Sequence, residues 1–324
     1  MDKNSRVYVA GHQGLVGSAI VRNLAARDYS DIVCITQAEL DLRDKQAVEG
    51  FFARIKPEYV FLAAARVGGI AANSAYPADF IRDNLAIQHN IIDACYKNKV
   101  RRMLFLGSSC IYPKMAPQPI KEEDLLSGWL EPTNEAYAIA KIAGIKMCQA
   151  YNRQYGTNYI SVMPTNLYGP NDNFDLNDAH VLPALIHRFY KARVIGEDEV
   201  KVWGSGTPRR EFLHVDDLAD ACWHVMQNPN TPEILNIGSG KDITIAELAK
   251  LVKETVGYTG EIVFDTSRPD GTPRKLLDSN RITALGWEPR ISLKEGIENT
   301  WRWFLEYKWP VIGPNNNGNN GGMP

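Results

Sequence analysis

The chain lacks any apolar run approaching the ~18 residues that a membrane-spanning helix needs. It also lacks a basic stripe. Its 36 Lys and Arg nearly balance 38 Asp and Glu, for a net charge of −2, so nothing argues for a nucleic-acid partner. Its five cysteines (Cys34, Cys95, Cys110, Cys148 and Cys222) form no CxxC pair and are odd in number. That excludes a disulfide framework, leaves no metal site to expect, and fits a reducing cytoplasm. Four of them, Cys34, Cys95, Cys148 and Cys222, fall in strand-like or helix-like segments and read as buried core thiols. There is no internal repeat. The first strand-like run starts at Arg6, which on this reading leaves no room for a signal peptide. Residues 311–324 are mostly Asn and Gly after 313, can bury nothing, and read as a disordered tail.

What is present is a pattern of alternating strands and helices. A short apolar run, residues 6–10, meets Gly11-His12-Gln13-Gly14-Leu15-Val16-Gly17, and helical spacing follows over 18–26. Strand, glycine turn and helix form the context in which glycines let a backbone approach a pyrophosphate, with free N–H groups at the helix start. Strand-like and helix-like segments then alternate: 32–36, 47–54, 59–63, 84–97, 102–106, 134–155 and 159–163. This predicts an α/β fold, a doubly wound Rossmann-type parallel sheet with nucleotide at the carboxyl ends of its strands. With 324 residues, 44% of them apolar, there is material for a second lobe. That lobe is expected over 171–210 and 239–310. Residues 1–170 form the dinucleotide-binding domain, and 211–238 return to it.

A second motif supplies chemistry. Tyr137 and Lys141 lie four apart in a helix-like segment, so they share a face. The strand-like run 102–106 ends in Gly107-Ser108-Ser109-Cys110. Ser108 can orient a carbonyl oxygen, Tyr137 can protonate it, and the Lys141 ammonium can favour the phenolate. A surface Tyr and Lys on an amphipathic helix is the plain alternative for this pair taken alone.

Together these motifs resemble the extended short-chain dehydrogenase/reductases. The segments GSSCIYP (107–113), NEAYAIAK (134–141), PTNLYGPNDNF (164–174), REFLHVDD (210–217) and PDGTPRKLLD (269–278) are similar to the GDP-L-fucose synthase family. The resemblance runs from about residue 6 to about residue 307. It implies 3,5-epimerisation of GDP-4-keto-6-deoxymannose and then 4-reduction, with Cys110 as base and His180 as acid. A 4-keto group acidifies C3–H and C5–H, and inverting those centres takes a base on one face and an acid on the other. The resemblance also gives Lys141 a bond to the nicotinamide ribose. It places Leu106, Pro164, Asn166, Leu167 and His180 beside the cofactor, Asp41 and Leu42 on its adenine side, and Ala63, Ala64 and Ala65 along its pyrophosphate and ribose. Arg188, Trp203, Arg210, Asp270 and Lys275 match positions that bind the nucleotide diphosphate.

Gln13 and Gln37 stand where bacterial relatives carry arginines for a 2′-phosphate, and no acid stands at 36–37 to take a free 2′-hydroxyl. NADP(H) is expected from the resemblance, with NADH use open. A homodimer paired through the helices at 84–97 and 134–155 is also implied. Ser109 and Cys110 occupy the positions of an Asp-Glu pair in the 4,6-dehydratases, which argues against dehydration. A UDP-galactose-type 4-epimerase has no use for a Cys/His pair. Another nucleotide-sugar 4-reductase/epimerase of the GDP-colitose type remains an alternative, as does a non-enzymatic nucleotide-binding scaffold.

Overall fold

The computed structural model describes residues 1–312 except Asn177 and Pro269, so the Asn/Gly tail lies outside the described residues. The first half alternates as its sequence pattern demands. Its elements are β1 Val7–Ala10, α1 Leu15–Ala25, β2 Ile32–Val33, α2 Lys45–Ile55, β3 Tyr59–Leu62, α3 Ile70–Ala75, α4 Pro77–Lys97, β4 Arg102–Leu106, α5 Glu135–Tyr155 and β5 Tyr159–Pro164. The second half holds β6 Asn166–Tyr168, α6 Val181–Ile195, β7 Glu199–Trp203, β8 Arg209–His214, α7 Val215–Gln227, β9 Ile234–Ile237, β10 Asp242–Thr244, α8 Ile245–Val256, β11 Glu261–Asp265, β12 Arg274–Lys275, α9 Asn280–Ala284 and α10 Leu293–Trp303.

Six strands form one parallel sheet in the order β2-β1-β3-β4-β5-β9. Chain order reverses between β1 and β3, which opens the crevice where such sheets take ligands. β1, β4 and β5 are buried along their whole length, as central parallel strands covered on both faces must be. One core packs α2, α4 and α5 on one face of the sheet, and a second packs α1 and α7 on the other. A third core, built on Tyr168, Leu185, Phe189, Val202, Val252 and Phe304, lies under the second lobe.

Several elements differ from the sequence reading. β2 ends at Val33 rather than 36, because the Glu39 carboxylate accepts from the Thr36 N–H (2.9 Å) and hydroxyl (2.7 Å) and turns the chain away. Cys34, just past that strand, is therefore only partly buried, whereas Cys95, Cys148 and Cys222 are core thiols as expected. α4 begins at Pro77 rather than 84, since proline suits the first helical turn. Of the expected return at 211–238, α7 packs on α1 and β9 becomes the sixth strand. β8 instead pairs with β6, β10 and β12 in a separate sheet.

A buried carboxylate joins that small sheet to the main one. Glu211 on β8 is fully buried, and its two oxygens accept from the Gly240 N–H (2.7 Å) and the Leu277 N–H (3.0 Å). Its backbone carbonyl accepts from the Thr165 hydroxyl (3.2 Å) and the Asn166 amide (2.8 Å), at the junction of β5 and β6. Glu211→Ala strands two buried N–H groups at about 1–3 kcal/mol each. Urea denaturation is expected to show a loss of several kcal/mol, with Glu211→Gln milder because one acceptor survives. An unchanged midpoint in Glu211→Ala would remove this carboxylate from the architecture.

Candidate active site

The glycine turn between β1 and α1 is shaped by close backbone approach. Gly11 sits at φ +83°, and a Cβ on it would lie 2.7 Å from the backbone of Ala64. A Cβ on Gly17 would lie 2.1 Å from the Gly11 carbonyl oxygen. Gly14 is the α1 N-cap and offers no side-chain bond, so the first-turn N–H groups stay open at the mouth of the crevice. That is the construction an anionic pyrophosphate requires. Leu15 and Val16, the first turn of α1, pack toward the α1 core. Ala63 is held by its N–H to the Ala10 carbonyl (3.0 Å), and Ala63–Ala65 continue the edge of the crevice beyond β3.

At the far end of the crevice, Gln13 and Gln37 are both exposed. Their amides are neutral donors, and the Glu39 carboxylate in the same stretch is folded onto Thr36. Asp41 is bound bidentately by Arg43, with contacts of 2.7 and 3.0 Å, and the Leu42 carbonyl takes the Asn90 amide at 2.9 Å. The crevice therefore fits a nicotinamide dinucleotide.

Ser108, Cys110, Tyr137 and Lys141 come together where β4 meets α5. Ser108 caps the short turn at Ser109–Ile111 by accepting from the Cys110 N–H (3.2 Å), and it hydrogen-bonds Tyr137. The Lys141 ammonium lies 5.8 Å from the Tyr137 ring centroid, but it donates to the Leu106 carbonyl at 2.7 Å. Burial raises the Tyr137 phenol above its ordinary value, the nearby Cys110 adds to this, and Ser108 pulls against it. Burial also pushes Lys141 down, to about 7. Burial is the largest influence on each of the two groups.

Lys275 falls in an unexpected place. Its Nζ lies 3.9 Å from the Cys110 sulfur, a counter-charge beside the thiol rather than a phosphate contact alone. β12 sets Lys275 in register with Arg210 on β8, and Arg210 in turn interacts with Cys110. Burial depresses the Arg210 guanidinium, and Asp270 offsets this. Arg188 stands 5.5 Å and Arg268 5.0 Å from the Trp203 ring centroid, and Trp203 is 56% exposed, which makes it a surface platform rather than core. Arg268 was not singled out by its sequence context, since nothing distinguishes it from a solvated charge. Asp270 is spent on a turn, accepting from the Ser205 N–H (2.6 Å) and hydroxyl (2.8 Å).

His180 is the N-cap residue of α6 and makes no capping bond. Its ring is open to solvent, yet crowding by protein lowers its pKa while the Asp178 carboxylate raises it. Pro164 ends β5, while Asn166 and Leu167 lie on β6, which continues directly from it. Asn166 is committed to the Glu211 carbonyl.

A dinucleotide crevice beside a Ser–Tyr–Lys cluster defines a short-chain dehydrogenase/reductase of the extended type. The model of the NAD dependent epimerase/dehydratase family matches residues 7–238, and the chain belongs to that family. GDP-L-fucose synthase 1 of Arabidopsis thaliana is 59% identical over 305 residues, covering 94% of this chain and 94% of its own. GDP-L-fucose synthase of Escherichia coli K12 is 57% identical over 310 residues, covering 93% of this chain and 97% of its own. Among solved structures, a GDP-L-fucose synthetase from Naegleria fowleri bound to NADP superposes with a TM-score of 0.88 at 31% identity, covering 94% and 95% of the two chains.

Lys141 gives a pH test. Between about 7 and the ordinary 10.5, the unfolded chain keeps a proton that the folded chain has released. This group therefore disfavours folding below pH 7, and the penalty fades as pH rises. Relative to wild type, Lys141→Met is expected to gain stability most at about pH 6 and least near about pH 10 in denaturant titrations. A difference that is flat with pH would mean that the lysine titrates normally.

Proposed function

We propose that this protein converts GDP-4-keto-6-deoxy-D-mannose to GDP-L-fucose with NADP(H), by 3,5-epimerisation and then 4-reduction. It is an oxidoreductase that also acts as an isomerase. The observation that carries the reading is Cys110: a thiol beside a lysine, within the same cluster as Ser108 and Tyr137. A simple ketoreductase or 4-epimerase needs no such base, and near-full-length relatives named GDP-L-fucose synthase support the same conclusion over a colitose-type reductase.

In this reading Cys110 takes the proton from C3 or C5, with Lys275 and Arg210 supplying counter-charge. His180 returns a proton on the opposite face. Ser108 holds the C4 oxygen and Tyr137 delivers the proton it needs. The nicotinamide, when bound, supplies the hydride to C4. The glycine turn, the open start of α1 and Ala63–Ala65 hold the dinucleotide, with Gln13 and Gln37 at its 2′ end and Asp41–Leu42 toward the adenine. Arg188, Trp203, Arg268 and Arg210 form the wall for the nucleotide diphosphate, because guanidinium groups suit phosphate and flat rings.

A homodimer through α4 and α5 is part of the proposal. Leu85, Tyr96, Ile139 and Tyr155 are exposed on this helix pair, and Tyr96 stacks on Tyr155 at 4.2 Å. Light scattering of the purified chain should give twice the chain mass of 36.3 kDa, and a monomer at micromolar concentration would count against this face. No described helix is long and apolar enough to cross a membrane. The free thiols favour a reducing compartment such as the cytoplasm.

The test is incubation with GDP-4-keto-6-deoxymannose in deuterated buffer, with NADPH or NADH, and NMR of the product sugar. Deuterium is expected at C3 and C5 of GDP-L-fucose. Cys110→Ser should lose the exchange, while Tyr137→Phe should keep it and lose reduction by ~10²–10⁴-fold. Wild-type exchange in the serine variant would leave Cys110 without a role. With amides at Gln13 and Gln37, the preference for NADPH over NADH should stay below about a thousand-fold, one charge-assisted contact being worth roughly ten- to a hundred-fold. A stronger preference would mean that another cation reads the 2′-phosphate.

A further inference from the structure

The segment 171–180 ties together two rims of the cofactor crevice. At one end the Asn171 amide donates to the Ser18 hydroxyl on α1 at 3.1 Å. At the other, an Asp178 oxygen accepts from the Gly69 N–H on the loop after β3 at 2.8 Å. Between them the Asp178 and Ala179 N–H groups donate to the Asp175 carbonyl at 3.1 and 2.7 Å. The approach at Asp178 is tight. A Cβ on Gly69 would lie 3.1 Å from the Asp178 carbonyl oxygen, and one on Gly68 would lie 3.0 Å from its carboxylate. The glycine loop continues into α3, which packs on the turn 132–134 that leads into α5 and Tyr137. Two residues beyond Asp178 stands His180, whose own side chain makes no capping bond to hold it.

We propose that Asp178 is a positioning residue for His180: its carboxylate latches the strap onto the cofactor loop at Gly69 and sets a negative charge beside the imidazole. This rests on the reading of His180 as the epimerase acid. A hydrogen bond from one backbone amide fixes the depth to which the strap descends, and with it the height of the imidazole over the crevice. Among the described residues, Asp178 is the charged side chain found to act on the His180 ring. An acid that must lose and regain a proton each turnover works best with its pKa near the operating pH, and desolvation alone would carry this imidazole below it. The carboxylate opposes that drift while its other duty holds the strap in place.

The two duties separate by substitution. Asp178→Asn keeps an oxygen for the Gly69 N–H but removes the charge, and Asp178→Ala removes both. Gly69→Ala disturbs the latch from the other side and leaves the charge. Deuterium wash-in at C3 and C5 is followed across pH with the nicotinamide omitted, beside NADPH binding measured by its fluorescence. In Asp178→Asn the basic limb of the exchange profile should move to lower pH with NADPH affinity kept. In Asp178→Ala and Gly69→Ala exchange should fall about tenfold or more at every pH, as misplacement of a proton donor costs. If wild type exchanges and all three variants match its rate and its pH limb, the positioning role is overturned. If wild type itself does not exchange, it is the epimerase reading that fails.

Discussion

A carboxylate taken out of water survives only when its oxygens are fully occupied, and Glu211 meets that condition by drawing separate stretches of chain toward one point. Gly238 must be glycine beside it, because a Cβ there would lie 2.3 Å from a carboxylate oxygen. The strand that ends just before it, β9, completes the main sheet. The chain at Leu277 follows the two residues of β12, so the same carboxylate fixes the strand that carries Lys275. Its neighbour in sequence, Arg210, points its charge toward Cys110. One buried ionisable group thus sets the distance between the half of the protein that holds the dinucleotide and the residues that surround the reacting sugar.

The chemistry inside that frame is set by dehydration more than by charge pairing. Tyr137 is a weaker acid and Lys141 a weaker base than either would be in water, since burial penalises the ionised form of each. Burial drives their proton affinities apart and reverses the order found in free lysine and tyrosine, so a proton on the phenol is the resting condition. That suits a group whose task is to give a proton to an oxygen that becomes negative. Cys110 differs from both: it is partly open and stands against cations at Lys275 and Arg210.

Legibility followed the range of the forces. Glycine turn, strand and helix over 7–25 are local, so spacing alone identified them, and the same holds for β4 and α5. β2 was overextended because the Thr36–Glu39 clamp, a side-chain bond three residues long, outweighs the β-branched run before it. The placement of β8 was missed because its partners β6, β10 and β12 come from three distant segments, and no pattern in 209–214 distinguishes one sheet from another. Of the residues proposed for the site, Ser108, Tyr137 and Lys141 are visible from spacing, and Cys110 and His180 through the resemblance. The contact of Lys275 with Cys110 was not, since 165 residues separate them and only the strand register brings them together. Asp178 looked like one of several loop acids until its bond to Gly69 singled it out.

The uncapped start of α1 has a consequence for the life of the folded chain. A serine or aspartate at the Gly14 position would satisfy an orphan amide and add about 1 kcal/mol to the helix. This protein forgoes that, and keeps its first-turn donors for a guest. Any anion that completes the helix binds the native state alone, so the protein's resistance to unfolding rises with the logarithm of the guest's concentration. Its resistance to unfolding is then coupled to the total supply of dinucleotide, since the oxidised and reduced forms carry the same pyrophosphate.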